Sequence, residues 1–155
     1  MIKKIVLVFI CCITTSFLWA QNSPAQKWVD SVFASLTPDQ RIAQLMVVRL
    51  SERTSTGILF YDKKVTELVK KYNIGGVCLF QGNPTLQAAT VNSLQAIAKT
   101  PIMMCIDGEN GLGMRFDSII PLNRQMMMGA VQDETIIYNY GTLVGEQCKR
   151  AGIHV

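Results

Sequence analysis

The chain has few of the residues from which metal sites and disulfide frameworks are built. It carries one histidine, His154, and beyond residue 20 it keeps three of its five cysteines, Cys78, Cys105 and Cys148. An odd number of cysteines at irregular spacing fits neither a disulfide framework nor the paired Cys and His spacing of a zinc site. We therefore expect no metal and no cofactor, and we expect Cys78 and Cys105 to be small buried side chains.

An excess of charge of one sign is also lacking. The formal net charge is +4, and residues 21–155 carry 13 basic against 11 acidic side chains, which leaves +2. Domains that bind nucleic acid carry concentrated positive charge on one face. The composition therefore predicts no nucleic-acid partner.

The chain also lacks an apolar run long enough for a confident membrane span. Its longest run, Ile5–Trp19, follows Lys3 and Lys4 and ends before Ala20. A basic start, a short apolar stretch and a small residue are typical of a secretory signal peptide, although Leu18 is larger than usual at its position. We expect residues 1–20 to be a signal peptide, with a periplasmic or secreted protein and no stable span after cleavage. An uncleaved N-terminal anchor is the alternative.

What the chain does contain is an alternation of helical and strand patterns. The apolar spacing predicts helices over 28–36, from 37 onward, over 65–72, from 83 to 97 and from 133 to 152, and strands over 44–50, 77–80 and 102–106. Residues 51–61 are polar at first and are predicted to be a loop. Strands that alternate with helices form βαβ units around a parallel sheet. The sequence therefore predicts an α/β fold.

The number of predicted strands limits the architecture. Three strands and an apolar start at residues 153–155 do not close a (β/α)8 barrel, which needs about 200 residues or more. We expect residues 36–155 to be the N-terminal portion of such a TIM barrel, incomplete in this chain, after a helical lead-in over residues 21–35. A small open-sheet domain is the alternative.

The most informative stretch is residues 101–116, which read PIMMCIDGENGLGMRF. The apolar run 102–106 ends in Asp107, and three glycines and Arg115 follow. Polar groups at the carboxyl ends of strands, before glycine-containing loops, form the ligand sites of α/β barrels and open sheets. This stretch therefore predicts a binding pocket that contains Asp107 and Arg115.

Other candidate residues have simpler explanations. The glycines follow a Gly-x-x-Gly-x-Gly order, whereas the dinucleotide fingerprint is Gly-x-Gly-x-x-Gly before a helix, so they predict a tight loop instead. His154 and the methionine run 126–128 are interpreted as core residues.

Three segments in order resemble the N-terminal domain of glycoside hydrolase family 3, in particular its β-N-acetylhexosaminidase branch. They are LTPDQRIAQL at 36–45, IGGVCLF at 74–80 and IDGENGLGMRF at 106–116. Asp107 and Arg115 match the Asp and the second Arg of the family's third motif. The chain departs from that motif at Leu112, where the family has its first Arg, and at Asn110, where it usually has Gly.

The resemblance implies that Asp107 binds sugar hydroxyls beside the cleaved bond and that Arg115 helps to hold the same sugar. It implies retaining hydrolysis of terminal β-linked N-acetylhexosamine, with β-glucosides as the alternative substrate. The family's nucleophile, an Asp, and its acid/base, a His, lie beyond Val155, so we assign no catalytic residue in this chain and expect the chain itself to be inactive. A sugar-binding or partner domain without catalysis is the further alternative.

Two local alternatives remain at this loop. In the first, Asp107 caps the following loop, and Arg115 pairs with Asp117 or Glu109 and not with Asp107. Glu109 lies two residues from Asp107 and is close enough to form the pair of carboxylates, about 5 Å apart, that retaining glycosidases use. The family does not use this position, so a role in stabilising the loop is the prediction for Glu109.

Overall fold

A computed structural model describes residues 23–155, so the predicted signal peptide lies outside the described residues. The described residues divide into two compact units, 23–38 and 39–155. In the first unit, helix α1 (Pro24–Ser35) begins after Ser23, whose side chain accepts a hydrogen bond from the backbone N of Gln26 at 3.1 Å. Ser23 thus satisfies one of the free N–H groups of the first turn. The helix predicted over residues 28–36 is confirmed.

The second unit contains the remaining elements. In chain order they are α2 (Pro38–Ala43), β1 (Val47–Arg49), β2 (Ser51–Thr54), β3 (Gly57–Phe60), α3 (Asp62–Tyr72), β4 (Gly76–Leu79), α4 (Pro84–Ile97), β5 (Met103–Ile106), a 3-10 turn (Leu112–Met114), α5 (Gln125–Met128) and α6 (Glu134–Arg150). None of the helices described between residues 23 and 155 is both long and apolar enough to cross a bilayer.

Three strands form the predicted parallel sheet in the order β1, β4, β5. Its register places Arg49 beside Cys78 and Cys78 beside Cys105. Helix α3 connects β1 to β4 after the β2–β3 hairpin, and α4 connects β4 to β5. The βαβ prediction is therefore confirmed, and spatial neighbours follow in chain order, as they do in the first strands of a barrel.

The prediction of a loop over residues 51–61 was wrong. Strands β2 and β3 form an antiparallel hairpin that pairs Ser51 with Phe60 and Thr54 with Gly57. The Thr54 hydroxyl donates to the Gly57 carbonyl at 2.9 Å, and Gly57 has a φ of +137°. The two-stranded ribbon is largely exposed, with a polar β2 and an apolar β3, so neither strand shows the alternation of apolar and polar residues that marks a half-buried strand.

The two faces of the parallel sheet have different environments. Val77, Leu79 and Met104 are fully buried in a core that includes Val65 of α3 and Leu94 of α4. Because successive strand residues point to opposite faces, Cys78 and Cys105 lie on the other face, together with Val47, Met103 and Arg49. Val47 and Met103 are 46% and 42% exposed. We call this second surface the inner face.

A buried corner fixes the start of β4. Asn73 ends α3 in the left-handed conformation, at φ 55°, and its side chain exchanges two hydrogen bonds with Thr100, at 2.9 and 3.2 Å. A Cβ atom at Gly75 would lie 1.9 Å from the carbonyl oxygen of Gln44, so only glycine allows this approach. The helix end predicted at Asn73 is confirmed.

Residues 153–155 lie alongside β5. The backbone N of Val155 donates to the Met104 carbonyl at 3.3 Å, and Ile106 donates to the Val155 carbonyl at 2.9 Å. These two bonds have the pattern of a parallel strand pair. The ring of His154 accepts a hydrogen bond at Nδ1 from the backbone N of Met104, at 2.9 Å, but the residue is exposed and is not a core residue.

Candidate functional site

Asp107 and Arg115 form an ion pair at the carboxyl end of β5. Nη2 of Arg115 lies 2.6 Å from Oδ2 of Asp107, and Nε donates to the Asp107 carbonyl oxygen at 2.5 Å. The guanidinium of Arg115 therefore binds both the side chain and the backbone of Asp107. The alternative, that Arg115 pairs with Asp117 or Glu109, is not what the structure contains.

The remaining surface of Asp107 is open. Its side chain is 46% exposed, whereas that of Arg115 is 19% exposed. No residue between 23 and 155 donates to its second oxygen, Oδ1. Because an ionised carboxylate accepts hydrogen bonds at both oxygens, Arg115 orients the group and leaves acceptor capacity for a ligand.

An aromatic ring completes the cluster. Phe80 directly follows β4, and the guanidinium of Arg115 lies 5.1 Å from the centre of its ring. The guanidinium of Arg49, the last residue of β1, lies 4.6 Å from the same ring. Cation–π contacts at this distance hold both arginines against Phe80.

A second acidic residue balances the charge of Arg49. Glu52 lies 3.3 Å from Nη1 of Arg49 and accepts a hydrogen bond from the Tyr61 hydroxyl at 2.6 Å. That hydrogen bond to the carboxylate is the largest cause of a raised pKa at Tyr61. The site thus pairs two guanidinium groups with two carboxylates.

The sheet explains why these residues meet. Arg49 is the last residue of β1, and Phe80 and Asp107 directly follow β4 and β5, so the three stand at the carboxyl ends of neighbouring parallel strands. Arg49 pairs with Cys78 on the inner face, and alternation from Cys78 and Cys105 assigns Phe80 and Asp107 to the same face. The carboxyl ends of barrel strands are where the ligand sites of (β/α)8 barrels lie. The structure therefore brings together the two residues predicted from the sequence and adds Arg49 and Phe80 to them.

Sequence reasoning missed Arg49 and Phe80, although a signal for both was present. Each was placed at or near the end of a predicted strand, 44–50 or 77–80. In a parallel sheet, residues that end neighbouring strands and alternate in phase with Asp107 point to the same face as Asp107. Arg49 and Phe80 both meet this condition. The glycine-containing loop is the stronger local signal, and neither of the two other strand ends is followed by such a loop.

The loop after β5 is held by its own backbone. Asn110 and Leu122 exchange two hydrogen bonds, at 3.0 and 3.3 Å, and the backbone N of Asp117 donates to Gly82 at 2.9 Å. A Cβ atom at Gly113 would lie 2.5 Å from the backbone N of Pro121. Gly113 therefore allows two backbone segments to pack together, so the predicted tight loop is confirmed.

A cleft of about 530 Å³ opens beside this loop, lined by Glu109, Asn110, Met114, Arg124, Gln125 and Met126. The carbonyl of Glu109 accepts a hydrogen bond from Nε2 of Gln125, which is a backbone contribution to the loop. The interpretation of residues 126–128 as core was wrong for Met126 and Met127, which are 90% and 61% exposed; only Met128 is buried. The short helix α5 turns the first two outward.

Comparison with known proteins identifies the family of the chain. The model of the glycosyl hydrolase family 3 N-terminal domain matches residues 37–155. A β-N-acetylglucosaminidase/β-glucosidase of Cellulomonas fimi is 23% identical over 127 residues, which cover 82% of this chain and 21% of that protein. A solved structure, the β-glucoside phosphorylase BglX bound to 2FGlc, superposes with a TM-score of 0.70 at 18% identity, covering 84% of this chain and 23% of that one.

The chain therefore spans about a fifth of the length of the curated relative that it matches. At this identity the structural likeness shows the fold, which is the N-terminal portion of a TIM barrel. The family model covers most of the described residues, including all of the parallel sheet and the Asp107 loop. The chain belongs to glycosyl hydrolase family 3, as part of its N-terminal domain.

Proposed function

We propose that this chain forms the sugar-binding end of a glycosidase that removes terminal β-linked N-acetylhexosamine residues with retention. The observation that carries the proposal is the Asp107 carboxylate, which Arg115 holds through one oxygen while the other remains accessible. Charge-assisted hydrogen bonds from sugar hydroxyls to a carboxylate are shorter and stronger than neutral ones. Asp107 and Arg115 are accordingly proposed as substrate-binding residues.

The choice of sugar rests on the three sequence segments, which resemble the β-N-acetylhexosaminidase branch. The name of the Cellulomonas fimi relative combines β-N-acetylglucosaminidase with β-glucosidase. A β-glucoside is therefore the second candidate substrate. A periplasmic or secreted location, which rests on residues 1–20, is part of the same proposal.

In this proposal the chain binds and orients the sugar, and other parts of the enzyme perform the bond chemistry. In a retaining mechanism a carboxylate attacks the anomeric carbon, a glycosyl-enzyme forms, and water releases the sugar. The resemblance assigns the nucleophile and the acid/base to positions after Val155. The contribution of Asp107 is to hold hydroxyl groups so that the anomeric carbon is presented in a fixed position.

The binding test uses the chain and two free sugars. Ligand-observed NMR titrations with N-acetylglucosamine and with glucose measure the affinity of the chain, of Asp107→Asn, and of Asp117→Asn as a matched exposed carboxylate. Hydrogen bonds to charged groups contribute about 1.5–3 kcal/mol, so Asp107→Asn is expected to bind about ten- to a hundredfold more weakly. Equal binding by both variants would contradict the site assignment.

The activity test compares an aryl N-acetyl-β-glucosaminide with an aryl β-glucoside in a protein that carries this stretch within a complete barrel. The higher kcat/KM is expected with the N-acetylated substrate, and a preference for the glucoside selects the second candidate. The chain by itself is expected to give no turnover. Hydrolysis by the chain that Glu109→Gln abolished would assign the chemistry to Asp107 and Glu109 instead.

A further inference from the structure

The β2–β3 hairpin is linked to the sugar-binding end of the sheet by side chains to which the proposed function gives no role. Glu52 of β2 accepts a hydrogen bond at Oε1 from the Tyr61 hydroxyl, at 2.6 Å, and its Oε2 lies 3.3 Å from Nη1 of Arg49. Each oxygen of this carboxylate thus has its own partner. Asp107 differs, because Arg115 holds one of its oxygens, Oδ2. Glu52 is therefore suited to support other side chains, whereas Asp107 keeps acceptor capacity for a ligand.

The ion pair between Arg49 and Glu52 is held at both ends. The two side chains are 49% and 34% exposed, and an ion pair at such exposure usually contributes little, because two mobile side chains must be ordered to form it. Here the Tyr61 hydroxyl orders the carboxylate, and the Phe80 ring, 4.6 Å from the guanidinium, orders the cation. The pair is therefore part of a connected set of contacts and not an isolated surface contact.

Phe80 connects this pair to the other side of the sheet. Because β4 is the central strand, Arg49 approaches the ring from β1 on one side and Arg115 from the loop after β5 on the other. The two guanidinium carbons lie 4.6 and 5.1 Å from the centre of the same ring. A ring that is held by one cation limits where the second cation can lie, since both contact its π-electron surface.

The ring also fixes what the hydrogen bonds of Arg115 leave free. Nε and Nη2 bond to the carbonyl oxygen and the carboxylate of Asp107, and both nitrogens lie on one edge of the guanidinium. These bonds set the direction of that edge, whereas contact with Phe80 sets the tilt of the guanidinium plane. The tilt of this plane determines how Oδ2 of Asp107 is held, and with it the direction of Oδ1.

Backbone and buried polar contacts give the hairpin a rigid base. The backbone N of Tyr61 donates to the Leu50 carbonyl at 2.8 Å, and that of Leu50 donates to the Cys78 carbonyl at 2.9 Å. The hydroxyl of Ser51 accepts a hydrogen bond from the backbone N of Gln81 at 2.9 Å, and both residues are buried. The hairpin therefore begins and ends on backbone that is fixed to β4 and to the residues that follow it.

We propose that Glu52 and Tyr61 are positioning residues of the sugar site. They act through Arg49 and Phe80 on the guanidinium that holds Asp107. The proposal rests on the proposed sugar-binding role of Asp107 and adds the residues that orient it, without a contact between the hairpin and the sugar. Supporting side chains with fixed rotamers are what keep a binding group in its productive position.

The first test observes the Nε–H group of Arg115 by NMR in the full chain without sugar. This group donates to the Asp107 carbonyl and lies beside the Phe80 ring, so its chemical shift reports both contacts. The resonance is identified by its absence in Arg115→Lys. Because no sugar is present, the result does not depend on whether the proposed function is correct.

Two variants remove single contacts of the hairpin. Glu52→Gln keeps the size of the side chain but removes the charge that pairs with Arg49, and Tyr61→Phe removes only the hydroxyl. Both are expected to shift the Nε–H resonance. The matched controls Glu67→Gln and Tyr138→Phe, at exposed positions, are expected to leave it in place. The backbone amide spectrum of each variant shows that the chain is folded, and either hairpin variant alone suffices for the test.

A double variant tests the route of the effect. Arg49→Met keeps an unbranched side chain but removes the guanidinium that contacts Glu52 and Phe80. On this background Glu52→Gln is expected to cause no further shift of the Nε–H resonance, because its partner is already gone.

Sugar binding is then measured in the same variants. Glu52→Gln and Tyr61→Phe are each expected to weaken N-acetylglucosamine binding about two- to fivefold, as the loss of one cation–π contact would. Phe80→Leu is expected to have a similar effect, and Phe80→Tyr, which keeps a ring, is expected to restore binding.

Four outcomes are decisive. An unchanged Nε–H resonance in both Glu52→Gln and Tyr61→Phe would overturn the proposal. So would a shift by Glu52→Gln that is equally large with and without Arg49, or unchanged sugar affinity in both hairpin variants of a chain that binds sugar. A reference chain that binds no sugar but shows the expected shifts would refute the proposed sugar site and uphold the positioning of Arg115 by the hairpin.

Discussion

At the scale of single residues, the site depends on the geometry of one guanidinium. Arg115 contacts both the carboxylate and the carbonyl oxygen of Asp107 through two different nitrogen atoms. Lysine carries the same charge but has a single ammonium group and no planar fork. The position of Asp107 is therefore set by the shape of the Arg115 side chain as well as by its charge.

Replacement of Arg115 by lysine tests this dependence. Arg115→Lys is expected to weaken N-acetylglucosamine binding about tenfold even though the charge is kept, because one of the two contacts to Asp107 is lost. Arg53→Lys, at an exposed position of β2, is the matched control and is expected to bind normally. Binding of unchanged strength in Arg115→Lys would show that charge alone holds the site.

The thiol of Cys78 gives a prediction about pH. Its pKa is raised to about 11 from an ordinary value of 9.0, chiefly by burial. Because the thiolate is the reactive form, its fraction at pH 8 is about a hundredfold below that of an ordinary thiol. Iodoacetamide is expected to modify Cys78 about that much more slowly in the native chain than in urea, with a rate that rises towards pH 11. A native rate that levelled off near pH 9 would contradict this assignment.

The same pKa shift has a consequence for stability. A thiol whose pKa is higher in the folded chain than in the unfolded chain keeps its proton better when folded. Its contribution is fully present below pH 9 and is lost as the pH rises through about 11. The free energy of unfolding is expected to fall across this range, and to fall less in Cys78→Ser, in chemical denaturation at several pH values.

How far the sequence predicts the site differs from residue to residue. Asp107 and Arg115 were identified because a carboxylate at a strand end and an arginine in a glycine-containing loop are local signals. The contacts of Arg49 and Phe80 depend on which residues of separate strands lie side by side, and this register arises from the packing of helices against the sheet. A local sequence pattern does not predict that packing, and so it does not predict the register.

At the scale of elements, helices were predicted more accurately than strands. Asn83 and Asp133 were identified as helix starts, and the side chain of each accepts a hydrogen bond from the first turn of its helix. Strand β1 is shorter than predicted, with Val47–Arg49 in place of 44–50. The strand pattern was imprecise because Leu45 and Met46 are also apolar, although they lie in the turn after α2 and outside the ladder.

Two glycines, one in the loop after β5 and one in α6, give predictions of opposite sign for stability. A Cβ atom at Gly113 would lie 2.5–2.6 Å from backbone atoms of Ile120 and Pro121, and backbone cannot move aside cheaply. Gly113→Ala is expected to lower the free energy of unfolding by about 1–3 kcal/mol, as overpacking does, and to weaken sugar binding.

Gly145 is the matched control, because it lies within α6 and a Cβ atom there would meet open space. Gly145→Ala is expected to raise stability by about 0.5–1 kcal/mol, since alanine loses less conformational freedom in a helix. Chemical denaturation of both variants measures the difference. A Gly113→Ala chain as stable as Gly145→Ala would show that this loop tolerates a side chain and is not packed on residues 120–121.

At the scale of the whole molecule, the order of helices and strands was predictable because it follows from the pattern of apolar residues along the chain. Short apolar runs such as 77–80 and 102–106 alternate with longer amphipathic stretches, and this alternation favours a parallel sheet. The hairpin β2–β3 was missed because both of its faces are largely exposed, and only backbone pairing and the turn at Gly57 define it. A short, largely exposed hairpin without alternation of apolar and polar residues leaves little trace in a sequence.

Apolar surface on one side of the sheet determines how the chain behaves in solution. Ile42, Met46 and Val47 are each about half exposed and line one cavity with Leu68 and Tyr72. Within residues 23–155, β1 pairs with β4 alone, so the other edge of β1 presents free backbone groups. Exposed apolar patches and unpaired strand edges are both sites of association.

We therefore expect the chain to self-associate as its concentration rises. Ile42→Gln with Met46→Gln is expected to shift the population towards monomer, because these changes make the patch beside β1 polar. Met126→Gln with Met127→Gln removes similar exposed area from α5 and is expected to have little effect, since α5 offers no strand edge. Sedimentation velocity over a range of concentrations distinguishes the variants. A chain that stays monomeric at all concentrations and unfolds in one sharp thermal transition would instead behave as a self-sufficient domain, and the patch would then be a tolerated surface feature.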